Sequence, residues 1–145
     1  MTVALPELAR HLLDGRVFAV LATVTGSGAP QSSVIWVKRD GDQVVFSTIR
    51  GRLKTRNLER DPRVSLCLYD PADPYAYVEI RGTVTMDEQG GPELIDELSR
   101  AYDGKPWTVR PHETRLVCRV TPTKVIEHVA AQSPRHQPPT PDLRS

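Results

Sequence analysis

The chain has 145 residues, 39% of them hydrophobic and 26% charged, with a formal net charge of +1. That length supports one core of ordinary size and leaves no room for a second domain. The near-balanced charge argues against a broad polyanion-binding surface, no apolar run reaches the roughly 20 residues of a membrane-spanning helix, and no basic-then-apolar leader opens the chain, so the expected setting is the cytoplasm.

Leu5, Leu8, Ala9, Leu12 and Leu13 follow the spacing of an amphipathic helix that ends at Gly15 and is expected to lie as a lid on a sheet. His11, on this helix, reads as a surface residue. Strand-like runs from Val17 to Val24 and from Gln31 to Lys38 flank Thr25-Gly-Ser-Gly-Ala-Pro30, which makes them a hairpin. The Gly26 and Gly28 pair is not a dinucleotide loop, because it lacks a third glycine and leads into a strand. Arg39-Asp-Gly-Asp42 forms the next turn, and Val44 to Ile49 is expected to complete a three-stranded antiparallel meander.

Ser47 to Pro62 is the most informative stretch. It reads as a strand end that turns at Gly51 into a short helix, stopped ahead of Pro62 because proline disfavours a helical residue before it. Residues 50 to 63 hold Arg50, Arg52, Lys54, Arg56, Arg60 and Arg63 against Glu59 and Asp61, a local charge of +4 in a chain of +1. Unpaired N–H groups at a helix start, strand-end hydroxyls and this charge together suit the phosphate of a small molecule. Lys54 and Asn57 share one face of the helix, Arg52 and Arg56 an adjoining one.

Arg63 to Tyr69 alternates Val64, Leu66 and Leu68 against Ser65, Cys67 and Tyr69. After a loop at Asp70 to Pro74, Tyr75 to Met86 is the longest strand. Gly82 falls on its apolar face and signals a bulge or a close backbone approach. Pro92 to Tyr102 reads as a helix, Lys105 to His112 as irregular, and Arg115 to His128 as a strand with an edge or a bulge at Pro122. Residues 130 to 145, rich in proline, form a tail with too little apolar content to fold alone, leaving one domain over 1–129. Cys67 and Cys118, in apolar runs without metal-ligand spacing, are expected to be buried thiols, and His112 and His128 are isolated. Trp36 and Trp107 are expected in the core or an interface. Six sequential strands with inserted helices give a mainly β fold, a small barrel whose filled interior leaves a sizeable ligand to an outer groove.

From Leu5 to His128 the chain resembles the flavin and deazaflavin oxidoreductases of the pyridoxamine phosphate oxidase-like superfamily. The marks are Ala29-Pro-Gln-Ser-Ser33, the run Gly51 to Arg63, and Tyr75-Ala-Tyr-Val-Glu-Ile-Arg-Gly82. The Lys-x-Arg-Asn-Leu core at Lys54 to Leu58 is most similar to the actinobacterial deazaflavin-dependent branch.

The resemblance implies a split β-barrel, flavin-binding and homodimeric, with two cofactor grooves at the subunit interface. It further implies a cofactor phosphate held by Arg52 and Lys54 with Asn57 beside them, a ring lined by Ser47, Thr48 and Ile49, and contacts from Gln31 and Tyr75. Arg50 and Arg56 remain for a longer acidic tail. The implied cofactor is the 8-hydroxy-5-deazaflavin coenzyme (factor 420), serving a reductase that passes a hydride to a conjugated small molecule. Flavin mononucleotide, in an oxidoreductase or carrier, is the alternative. A non-catalytic nucleic-acid-binding module is disfavoured by the near-neutral charge and the absence of interleaved aromatics on the basic helix. Substrate-pocket walls are expected from Asp70 to Pro74 and from Lys105 to His112.

Overall fold

The run from Gln31 to Lys38, expected as one strand, is broken at Trp36 and Val37, and the break organises the whole fold. A computed structural model describes residues 2–129; the proline-rich tail lies outside them. In chain order the elements are α1 (Glu7–Asp14), β1 (Ala19–Val24), β2 (Pro30–Ile35), β3 (Lys38–Asp40), β4 (Gln43–Ile49), α2 (Leu53–Arg60), β5 (Arg63–Asp70), β6 (Asp73–Asp87), α3 (Gly91–Asp103) and β7 (Arg115–His128). The strands form one antiparallel sheet in the order β2-β1-β5-β6-β7-β4-β3.

The sheet's two edge strands, β2 and β3, are therefore the halves of one run, joined by two residues. Only a curled sheet allows that link, so this is a split barrel whose edges are tied by chain instead of a ladder. The expected meander does not form. β2 pairs with β1, Val20 opposite Val34, but β4 pairs with β3 and, over Val44–Ile49, with the distant β7.

Tyr102, from α3, closes the seam. Its hydroxyl accepts the Val37 N–H at 3.1 Å and lies 2.8 Å from the Val17 carbonyl and 3.0 Å from that of Val37, to either of which it can donate. Trp36 stacks on the same ring, centroids 5.5 Å apart.

Alternation along β5 and β6 turns Val64, Leu66, Leu68, Val78 and Ile80 inward, where with Phe46 and the apolar face of α1 they fill the barrel. Gly82 and Pro122 mark a bulge, as expected: Arg81 pairs with Lys124 and Gly82 with Pro122, leaving Thr123 as the extra residue. A Cβ on Gly82 would stand 2.3 Å from the Thr121 carbonyl oxygen, so only glycine fits. The strand carrying Pro122 is interior to the sheet order, not an edge. One expectation about cysteine is corrected. Cys118 is buried, but Cys67 is exposed, because alternation sends it to the outer face of β5 with Tyr69.

Candidate functional site

The turn Arg50–Arg52 carries the chain from β4 into α2. Arg52 is the N-cap, with extended backbone (φ −70°, ψ 158°), and no side chain caps the helix start. A helix start without a cap is ready to receive an anion. The other end behaves as expected, the Asp61 N–H closing on the Asn57 carbonyl at 2.8 Å just before Pro62.

A groove opens beside this start. One lobe, of about 180 Å³, lies between β2, β4 and α3 and is lined by Val34, Trp36, Ser47, Arg52, Lys54, Ile95, Trp107 and Arg115, among others. A second lobe of about 350 Å³ shares Arg52, Trp107 and Arg115 and adds Ile49, Arg110, His112 and Glu113. Aromatic and aliphatic walls with a few cations describe a place for a planar, anionic molecule.

The cations differ in their support. Arg115, 8% exposed, opens β7; its guanidinium pairs with Glu113, approaches Ser47 Oγ at 3.3 Å and lies 4.8 Å over the Trp107 ring. Burial lowers the Arg115 pKa, and although burial also pushes the Glu113 carboxyl up, the Arg110 backbone N–H and Arg115 outweigh it and hold Glu113 below its usual value. The Lys54 ammonium is half-buried, 3.5 Å from Ser33 Oγ, and has no carboxylate partner among the described residues. Burial first, then repulsion from Arg52 and Arg115, lowers its pKa below the ordinary lysine value, while the Cys118 side chain raises it slightly. Cys118 itself is pushed up to about 12 by burial, so it stays a thiol.

Of the residues anticipated from sequence, Ser47, Ile49, Arg52 and Lys54 line the two lobes. Arg50 is exposed and pairs with Glu88 at 3.4 Å. Thr48 and Asn57 are buried and line neither lobe. The Thr48 and Thr55 hydroxyls sit 2.9 Å apart, tying strand to helix, and Asn57 donates to Thr23 Oγ1 at 3.0 Å. Gln31 joins the same chain, 2.7 Å from Thr23 Oγ1. Tyr75 stands 45% exposed at the start of β6 and lines neither lobe within one chain.

Backbone groups contribute too. The Arg50 N–H bonds the Thr114 carbonyl at 2.9 Å, so by antiparallel alternation Ser47 and Ile49 turn their N–H and C=O groups toward the open side of β4. The Ile49 carbonyl is taken by Thr55 Oγ1 at 2.7 Å.

Lys105 to His112 does wall the groove, through Trp107, Arg110 and His112, whereas Asp70 to Pro74 lines neither lobe. Arg115, Glu113 and Trp36 are the additions that sequence reasoning missed. An arginine at the head of the apolar run Leu116-Val117-Cys118 was the available signal, since a charge entering a buried strand needs a partner. His128 packs on Tyr77 at 4.9 Å with its Nδ1 2.8 Å from the Tyr75 carbonyl, and the described residues hold no group of side chains able to bind a metal. No helix among them is long and apolar enough to cross a membrane.

Comparison with known proteins agrees with this fold. A solved structure named F420 reductase is 32% identical, over 84% of this chain and 98% of that one, with a TM-score of 0.76. A conserved hypothetical protein from Mycobacterium tuberculosis (21% identity, 88% and 86% covered, TM-score 0.70) and general stress protein 26 from Bacillus anthracis (20%, 84% and 92%, 0.67) share the fold. Residues 5–129 match the family model described as pyridoxamine 5′-phosphate oxidase, and with nearly the whole described chain inside that match, the protein belongs to this family.

Proposed function

We propose that the protein is an oxidoreductase that holds the 8-hydroxy-5-deazaflavin coenzyme in the groove and reduces a conjugated small molecule. The observation that carries this reading is the unbalanced positive charge of Arg52 and Lys54 at an uncapped helix start, beside flat apolar walls. The 32% identity to a protein named F420 reductase favours the deazaflavin over flavin mononucleotide, whose phosphate the same donors would serve.

The residues present fit such a group. Arg52, Lys54 and the first N–H groups of α2 take the phosphate, and Arg115, fixed by Glu113 and Trp107, is a rigid third donor. Trp36, Ile95 and Trp107 exclude water from the ring's surroundings, and the outward backbone of Ser47 and Ile49 sets its plane. The bound coenzyme supplies the hydride; the protein binds, orients and desolvates. Free thiols at Cys67 and Cys118 suit a reducing cytoplasm.

The working unit in this reading is a homodimer. Phe18 and Val34, at the groove's rim, continue into exposed Val20 and Tyr69 on the outer face of β2, β1 and β5. A second copy seated there would cover this apolar strip and bring its own Tyr75 toward the groove.

Titration with each cofactor tests the reading. Deazaflavin coenzyme should bind at micromolar concentration or below and more tightly than flavin mononucleotide, and Val20→Arg should both split the dimer and weaken binding. Tighter binding of flavin mononucleotide would replace the deazaflavin assignment. A monomer with unchanged affinity would overturn the interface groove.

A further inference from the structure

We propose that Asp96 is a positioning residue for the groove: from outside both lobes it sets the place of Trp107, the wall they share, and thereby the approach of a planar ring. The inference rests on the groove being the cofactor site. Of the three residues common to the two lobes, Arg52, Trp107 and Arg115, the tryptophan alone is uncharged, and Asp96 lines neither lobe.

Trp107 stands on an irregular segment. From Lys105 to Val109 no backbone-to-backbone hydrogen bond holds the chain among the described residues. Nor does the indole fasten itself: its N–H is buried and makes no close hydrogen bond, although it lies near enough to the Glu113 carboxyl to help keep that group ionised. The ring meets Trp36 edge-on, centroids 6.4 Å apart, and the Arg115 guanidinium at 4.8 Å. Both contacts last only while the backbone of Trp107 stays in place.

The fixed points come from α3. Asp96 Oδ1 accepts the Trp107 backbone N–H at 2.8 Å, and Ser99 Oγ donates to the Lys105 carbonyl at 2.7 Å. Positions three apart share a helix face, so one face of α3 grips the segment at two points. Arg100 pairs with the other Asp96 oxygen at 2.8 Å and, with the Trp107 N–H, holds the Asp96 carboxyl below its usual value, so the acceptor carries charge. Ile95 and Leu98 of the same helix line the first lobe. The helix that makes one wall of the groove thus also holds another wall at a set distance. A wall held before binding does not have to be ordered by the ligand, and that ordering would weaken affinity.

Two measurements test this. In the protein without cofactor, Trp107→Phe identifies the near-UV circular dichroism band that comes from the Trp36 and Trp107 pair. Asp96→Ala should lose most of that band with the far-UV signal unchanged, because the Asp96 side chain is 34% exposed and its removal leaves no hole in the core. In titrations with deazaflavin coenzyme and with flavin mononucleotide, the same variant should bind about fivefold more weakly, the ordering of the released wall falling on the binding step. Asp96→Asn keeps an oxygen for the Trp107 N–H, and Arg100→Gln removes only the exposed ion pair. Both should keep the band and stay within about twofold of wild-type affinity. A wild-type band, a wild-type affinity or an altered far-UV signal in Asp96→Ala would overturn the proposal, as would equal losses in Asp96→Asn or Arg100→Gln. If neither cofactor binds the wild-type protein, the cofactor reading and the ligand half of this proposal both fail, while the near-UV band still decides whether Asp96 holds Trp107.

Discussion

The outer surface and the groove treat charge in opposite ways. Outside, arginines sit against carboxylates: Arg39 on Asp14, Arg63 on Asp61, Arg81 on Glu79, Arg100 on Asp96 and Arg119 on Asp40. In the groove one carboxylate, Glu113, serves Arg115, while Arg52 and Lys54 have none among the described residues. The surface pairs are solvated and each is worth little. Lys54 and Arg115 are partly desolvated and Arg52 repels both, a cost that an incoming anion removes.

The largest effect should come from breaking the groove's single pair. Arg115→Met leaves Glu113 buried without its cation, with the Arg110 N–H still donating to it, and denaturant unfolding should register a loss of about 3 kcal/mol; a loss under about 1 kcal/mol would mean that the pair is not buried in solution. Lys54→Met should split stability from binding. Removing a half-buried, repelled ammonium should raise stability by about 1 kcal/mol in thermal unfolding while weakening phosphate-bearing ligands about tenfold or more. A variant that loses both would show that Lys54 has a partner after all.

The depressed Lys54 pKa gives a third test. The unfolded chain holds this proton up to the ordinary lysine value of 10.5, and the native protein releases it at lower pH. Between the two values the unfolded state binds more protons, so Lys54's unfavourable contribution fades and stability rises with pH across that window. Anion affinity falls over the same window as the ammonium loses its charge. Lys54→Met should flatten both trends, and a wild-type affinity constant up to pH 10.5 would contradict the shift.

The smallest effect belongs to the surface. Arg63, by side-chain and then backbone hydrogen bonds, holds Asp61 down to about 2 from 3.8. That contribution is present above the ordinary carboxylate value and lost as pH falls toward the native one. Arg63→Ala should leave neutral-pH stability nearly unchanged and move only the acid edge of unfolding upward.

Local features were legible in the sequence because they depend on near neighbours. Val64 to Leu68 and Val78 to Val84 alternate as half-buried strands must, Gly82 and Pro122 announce their bulge, and Pro62 stops α2. The break at Trp36 and Val37 was not legible, since nothing in an unbroken β-forming run says that its halves pair with opposite edges. The site divided along the same line. Arg52 and Lys54 were marked by helix start and charge, but Arg115 arrives from some sixty residues further on, through pairing of β4 with β7, and Trp107 from the segment that leads into it. Thr48 and Asn57 carried no such mark in the sequence: that both are buried, and tied to Thr55 and to Thr23, follows from the packing of α2 on the strands.

The two-residue link at Trp36 and Val37 also has a consequence for the order of folding. The β1–β2 and β3–β4 hairpins are local and can form as soon as each is made. Neither edge of the groove is fixed, however, until β4 finds β7, Ser47 opposite Val117, seventy positions away. The two edges of the groove should thus come together in a single late step, once β7 has left the ribosome, and not gradually with chain length.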